Sequence, residues 1–132
     1  MPRVMIVDDD ETMQSLLRTL LELEGFEVLE APSFDQILST VDNERPDAIL
    51  MDCILPQVDG LELLRQIRSR QGSDSLAVIM TSGMDYGERC LARGANAFLQ
   101  KPYPPEQLLE VLNTELSKTG GAAPPEINTR GV

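Results

Sequence analysis

The sequence contains no histidine and no tryptophan. Without histidine there is no Ser-His-Asp or Cys-His catalysis and no histidine-ligated metal site, so any chemistry falls to carboxylates, lysine, threonine and serine. Cysteine is scarce: Cys53 and Cys90 lie far apart in sequence and match no zinc or redox spacing. They read as small buried apolar residues, with no disulfide expected in a reducing compartment. Basic residues are few, 11 against 22 acidic ones, for a net charge of −11. That balance argues against direct nucleic-acid binding, which needs a basic face. No apolar run is long enough to cross a membrane. The apolar start, Val4 to Val7, is too short for a secretory leader and runs straight into acid. The chain is therefore expected to be soluble and cytoplasmic, with no membrane partner.

What is present is one domain's worth of chain, 132 residues, in which apolar strand-like runs alternate with helical patterns. Val4 to Val7 reads as a buried strand. Met13, Leu16, Leu17, Leu20 and Leu21 then recur at helical spacing, with Gly25 able to end that helix. Phe26 to Glu30 alternates like an outer strand. Ser33 to Gln36 has a capping-box sequence, and Phe34, Ile37, Leu38 and Val41 supply the next apolar stripe, closed by Pro46. Ala48 to Met51 is an unbroken apolar run, as in a strand buried on both faces. Leu61, Leu63, Leu64 and Ile67 predict a third helix ending near Gly72, and Leu76 to Met80 a fourth strand stopped by Thr81-Ser82-Gly83. A short helix over Tyr86 to Arg93, with Gly94 beyond it, precedes a strand over Ala97 to Gln100. A last helix carries Leu108, Leu109, Leu112 and Leu116. This alternation predicts an α/β fold with a parallel sheet between helices. The domain is expected over 1–118, with 119–132 a flexible tail or linker stub, rich in Gly, Ala and Pro.

In open parallel sheets, ligand sites lie outside the carboxyl ends of the strands. Here those ends carry Asp8-Asp9-Asp10, Asp52, Thr81-Ser82 and Lys101-Pro102. Each has a plain reading by itself. Asp8 to Asp10 could cap the first helix, Asp52 could shape a loop, Thr81 could bond to backbone, and Lys101 could be a solvated surface charge. Together they gather acids, a hydroxyl and an ammonium over one site. Clustered carboxylates repel, and a divalent cation relieves that repulsion; oxygen ligands select hard Mg²⁺. A hydroxyl and an ammonium suit phosphoryl oxygens, and an ionised carboxylate can attack phosphorus without a general base.

These residues carry a resemblance. Val7-Asp8-Asp9-Asp10, Met51-Asp52 with Pro56 and Asp59-Gly60, Met80-Thr81-Ser82-Gly83, and Gly94-Ala95 through Lys101-Pro102 stand in the order and spacing of the receiver domains of two-component response regulators, of the chemotaxis-receiver type. The resemblance implies a flavodoxin-like (βα)5 doubly wound fold whose five-stranded parallel sheet has the order 2-1-3-4-5. It implies Asp52 as phospho-acceptor from the phosphohistidine of a sensor histidine kinase or histidine phosphotransfer protein. It further implies Mg²⁺ on Asp8, Asp9, Asp52 and the backbone carbonyl of Ile54. Thr81 and Lys101 would contact the phosphoryl group, Thr81 and Phe98 would switch, and the Lys101–Pro102 peptide would be cis. Output would pass through the face of the fourth helix, fifth strand and fifth helix to a downstream protein or effector domain, with a homodimer left open.

Ile54 and Gly83 depart from the residue types that hasten phosphate loss in such domains: neither offers a polar side chain to orient water. Two other functions compete. A Mg²⁺-dependent aspartyl-phosphate phosphatase would want a second acid where Ile54 stands, and a phosphorylation-independent binding module would not need the full set of site residues. The expectation is a signalling switch with only self-phosphotransfer and autodephosphorylation activity, and not an enzyme.

Overall fold

The structure is a computed structural model that describes residues 1–70 and 72–119. Its elements are β1 (Arg3–Val7), α1 (Glu11–Leu23), β2 (Glu27–Leu29), α2 (Ile37–Glu44), β3 (Ala48–Asp52), α3 (Gly60–Arg68), β4 (Ala77–Ser82), α4 (Gly87–Ala92), β5 (Ala97–Gln100) and α5 (Pro105–Thr119). The five strands pair in parallel in the order β2-β1-β3-β4-β5, the expected flavodoxin-like arrangement. Because β1, β3 and β4 are covered on both sides, their alternate residues feed two separate cores. Met5, Ile49, Val78 and Met80 pack with Ile37, Val41, Leu64, Ile67 and Cys90, so α2, α3 and α4 cover one face. Val4, Ile6, Leu50 and Ile79 pack with Leu17, Leu21, Leu108, Leu112 and Leu116, so α1 and α5 cover the other.

Several local expectations are corrected. Leu16 has the helical spacing of the α1 stripe but is 61% exposed; the buried positions are Leu17 and Leu21. The capping box at Ser33 does not form. Its hydroxyl donates instead to the side chains of Asp35 and Gln36, Phe34–Gln36 makes a 3-10 turn, and α2 starts at Ile37. The second strand is shorter than the alternation suggests, and α3 ends at Arg68, ahead of Gly72. The fourth strand continues through Thr81 and Ser82, both buried. Gly94 has φ +105 at the end of α4, where a left-handed residue is needed, whereas Gly83 has no positive φ. The last helix begins with Pro105 in its first turn, where a missing N–H costs no helical bond. Of the proposed tail, residues 120–132 lie outside those described.

Candidate functional site

The carboxyl edge of the sheet is built from short-range backbone constraints. Asp10 caps α1, its Oδ1 accepting the Met13 N–H at 3.1 Å, so the capping role falls on this acid and leaves Asp8 and Asp9 for other work. Asp8 is buried, its Oδ1 accepting the Asp10 N–H at 2.9 Å. Asp52 is the last residue of β3, in register with Thr81 of β4, and both are buried. The Ile54 N–H donates to Asp52 Oδ1 at 3.1 Å. Past β5, the Lys101 N–H donates to the Ser82 carbonyl at 2.8 Å, and the Lys101–Pro102 peptide is cis.

These supports bring the charged groups together. Oxygens of Asp8, Asp9 and Asp52 lie within 4.8 Å of one another. Lys101 Nζ donates to Asp52 Oδ2 at 2.8 Å and to Asp8 Oδ2 at 3.1 Å. Burial, the largest single influence on the Lys101 ammonium, pulls its pKa down, but the hydrogen bonds and charges of Asp52 and Asp8 outweigh it and leave the pKa raised. The lysine is thus held charged between two carboxylates. An all-oxygen set of clustered carboxylates fits a hard divalent cation such as Mg²⁺. Phe98 stands apart from this cluster: it packs with the core on the α2–α4 side, its Cδ2 only 3.3 Å from where a Cβ on Gly87 would lie. Ile54 is 56% exposed, and the position beside Gly83 is open.

Three features escaped the sequence reading. Gln14 Nε2 donates to the Asp8 carbonyl at 2.6 Å, bracing the acidic loop from α1; nothing marks that polar helix residue in advance. Asp59-Gly60 reads as a chain breaker, yet its use is more specific. Asp59 caps α3 by accepting the Leu61 N–H, and the Gly60 N–H donates to the Cys53 carbonyl at 2.9 Å. A Cβ on Gly60 would come within 2.5 Å of that carbonyl oxygen and 2.6 Å of the Asp52 carbonyl oxygen, so only glycine lets α3 approach the Asp52 loop this closely. Third, the two cysteines, distant in sequence, are free thiols whose sulfurs lie 3.3 Å apart, and burial raises the pKa of both.

Comparison with known proteins agrees with this geometry. The response regulator receiver domain family model matches residues 4–113. The chain belongs to the response regulator receiver family. It is 36% identical over 119 residues to the response regulator MprA of Mycobacterium sp. (strain KMS), covering 89% of this chain and 51% of that protein. The receiver thus spans about half the length of the curated relatives it matches. A CheY-like response regulator receiver domain protein from Methanospirillum hungatei superposes with a TM-score of 0.81 at 33% identity, covering 91% of this chain and 97% of that one. The receiver domain of a sensor histidine kinase from Pseudomonas aeruginosa, solved with a magnesium ion coordinated in its active-site cleft, superposes with a TM-score of 0.78 at 28% identity, covering 88% and 98%. Receivers of response regulators are signalling switches of two-component systems. Among the described residues, no helix is long and apolar enough to cross a membrane.

Proposed function

We propose that this receiver accepts a phosphoryl group on Asp52 from the phosphohistidine of a sensor kinase or phosphotransfer protein, in the cytoplasm. The observation that carries the reading is the buried Asp52 carboxylate at a strand end, with the Lys101 ammonium 2.8 Å from its Oδ2 and 3.1 Å from Asp8 Oδ2. A carboxylate oxygen of Asp52 forms the new P–O bond as the donor's N–P bond breaks. Lys101, already charged at this spot, moves its hydrogen bond from the carboxylate to a phosphoryl oxygen. Thr81, level with Asp52 across the β3–β4 pair, offers its hydroxyl to another. Asp8, Asp9, Asp52 and the backbone carbonyl of Ile54 would hold Mg²⁺, whose charge offsets that of the phosphoryl group.

Movement of Thr81 toward the phosphoryl group vacates space beside β5, and Phe98 turns inward behind it. Since Phe98 packs on Gly87 at the start of α4, that turn is felt by the α4-β5-α5 face, where Leu91 is 52% exposed. Two populations of that face constitute the signal to a downstream protein or effector domain, or to a second copy. The test is mass measurement after incubation with Mg²⁺ and a small phosphodonor such as acetyl phosphate. The wild type gains one phosphoryl group and Asp52→Asn gains none. An adduct of equal yield on the variant would reject Asp52 as acceptor, and sustained hydrolysis of assorted phosphate esters would favour the phosphatase reading.

A further inference from the structure

The Cys53 and Cys90 sulfurs touch at 3.3 Å inside the core, 3% and 0% exposed, joining the residue after Asp52 to the middle of α4. Neither thiol has a part in phosphoryl transfer. Both have their backbone groups hydrogen-bonded. The Cys53 N–H donates to the Thr81 carbonyl at 2.8 Å while its carbonyl accepts from Gly60, and the Cys90 N–H donates to the Tyr86 carbonyl at 3.0 Å while its carbonyl accepts from Ala95. Bonded sulfurs lie about 2.05 Å apart, so the approach still required is on the order of 1 Å. The element that must yield is α4, a six-residue helix whose N-cap, Tyr86, makes no side-chain capping bond. Short, weakly capped elements open locally at low cost, which also gives a small oxidant its access.

We propose that Cys53 and Cys90 form a reversible intramolecular disulfide that ties α4 to the acceptor loop and holds the α4–β5 face in one arrangement. The oxidant class is a peroxide. Opening of α4 relieves the burial that holds the thiols protonated; one cysteine sulfur then gives up its proton and attacks a peroxide oxygen, the O–O bond breaks, and water and a sulfenic acid result. The second sulfur then displaces the hydroxyl as a second water. Two S–H bonds and the O–O bond are lost, one S–S bond and two O–H bonds are gained, and the sulfurs supply the two electrons that reduce the peroxide. The consequence for signalling rests on the phosphorylation reading above: Gly87 of α4 lies against Phe98, so a tether at Cys90 restrains the contact through which the acceptor would be read.

The test treats the full chain with hydrogen peroxide, then alkylates it under denaturing conditions. The wild type is expected to lose about 2 Da, to take up no alkylating agent, to stay monomeric without reductant, and to recover both thiols with dithiothreitol. Cys53→Ala and Cys90→Ala each keep one alkylatable thiol. Two alkylatable thiols in the treated wild type, sulfinic acids, or disulfide-linked dimers alone would overturn the proposal. A second arm adds Mg²⁺ and beryllofluoride, a phosphoryl mimic, and follows amide resonances of α4 and β5. The shifts seen in reduced protein should shrink at least about fivefold in the disulfide form. Equal shifts in both forms would overturn the tether. Absent shifts in the reduced protein, beside a formed disulfide, would instead count against the phosphorylation reading.

Discussion

At the carboxyl ends of the strands Lys101 reaches the carboxylates of Asp8 and Asp52, while at the opposite end of the sheet Arg68 reaches only uncharged oxygens. Arg68 Nε donates to the Gly94 carbonyl at 2.7 Å, Nη1 to the carbonyls of Ser73 and Leu76 at 2.7 and 2.9 Å, and Nη2 to Asn96 Oδ1. It thereby ties the last residue of α3 to the segments that lead into β4 and β5. Gly94 completes the joint: a Cβ there would lie 2.9 Å from Arg68 Cγ. Both cations are partly buried, yet their partners differ in what could replace them. A carboxylate–ammonium contact can be exchanged for a divalent cation or a phosphoryl oxygen at similar electrostatic cost. Carbonyls held by a planar guanidinium have no such substitute in solution short of water. One end is built to change partners and the other to keep them.

Breaking the fixed end should have the larger effect on stability. Arg68→Ala removes the guanidinium from the carbonyls of Gly94 and Leu76, while Ser73 keeps the Leu76 N–H and Asn96 Oδ1 keeps the Val78 N–H, for a loss of about 2–3 kcal/mol. Urea denaturation would register this as a lower midpoint, while the folded variant still gains one phosphoryl group per chain. A loss under about 0.5 kcal/mol would mean that water replaces the guanidinium freely, and the contrast between the two ends would fail.

Lys101→Met tests the exchangeable end. Removing the ammonium leaves Asp8 and Asp52 facing each other, with an expected cost of about 1 kcal/mol in Mg²⁺-free buffer. Because the same carboxylates would bind the ion, Mg²⁺ should restore most of that loss in the variant and stabilise the wild type less. Denaturation with and without Mg²⁺ checks this. An equal Mg²⁺ increment in both proteins would show that the lysine and the ion do not share partners.

How far these features could be read from sequence follows from how local their causes are. β3 was legible because an unbroken apolar run ending in Asp52 is a pattern within a few residues, and every residue of that strand is indeed buried. The same holds for Asp10 as a cap and Gly94 at positive φ. The strand order came with the resemblance, since periodicity within a strand says nothing about its neighbour. Leu16 misled because helical spacing marks a stripe wider than the surface actually covered. Arg68, Gln14 and the paired sulfurs were not legible at all. Arg68 binds oxygens up to 28 positions away, and the cysteine contact spans 37 positions. Such contacts exist only once the sheet has brought its ends together. The acidic edge was readable for the opposite reason: each strand end carries its own residue, and the rule that those ends converge supplies the rest.

The smallest expected effect sharpens the contrast through pH. Burial, the largest influence on Tyr103, raises its phenol above the ordinary tyrosine value, with Lys101 opposing and Asp8 and Asp52 assisting. The unfolded chain therefore ionises Tyr103 near pH 10 while the folded protein still holds the proton. A raised folded pKa contributes stability that is fully present below the unfolded value and is lost as pH rises through the folded value. Wild-type stability should accordingly fall faster above about pH 10 than that of Tyr103→Phe, with the two proteins nearly alike at neutral pH. Parallel curves would show that the phenol is not held neutral by the fold. No matching slope is expected from the other end. Burial pulls the Arg68 pKa down, but an arginine stays protonated across this range, and its acceptors do not titrate. The alkaline sensitivity of the fold should thus arise at the edge where Lys101 and its acids meet and at the buried thiols of Cys53 and Cys90, not at Arg68.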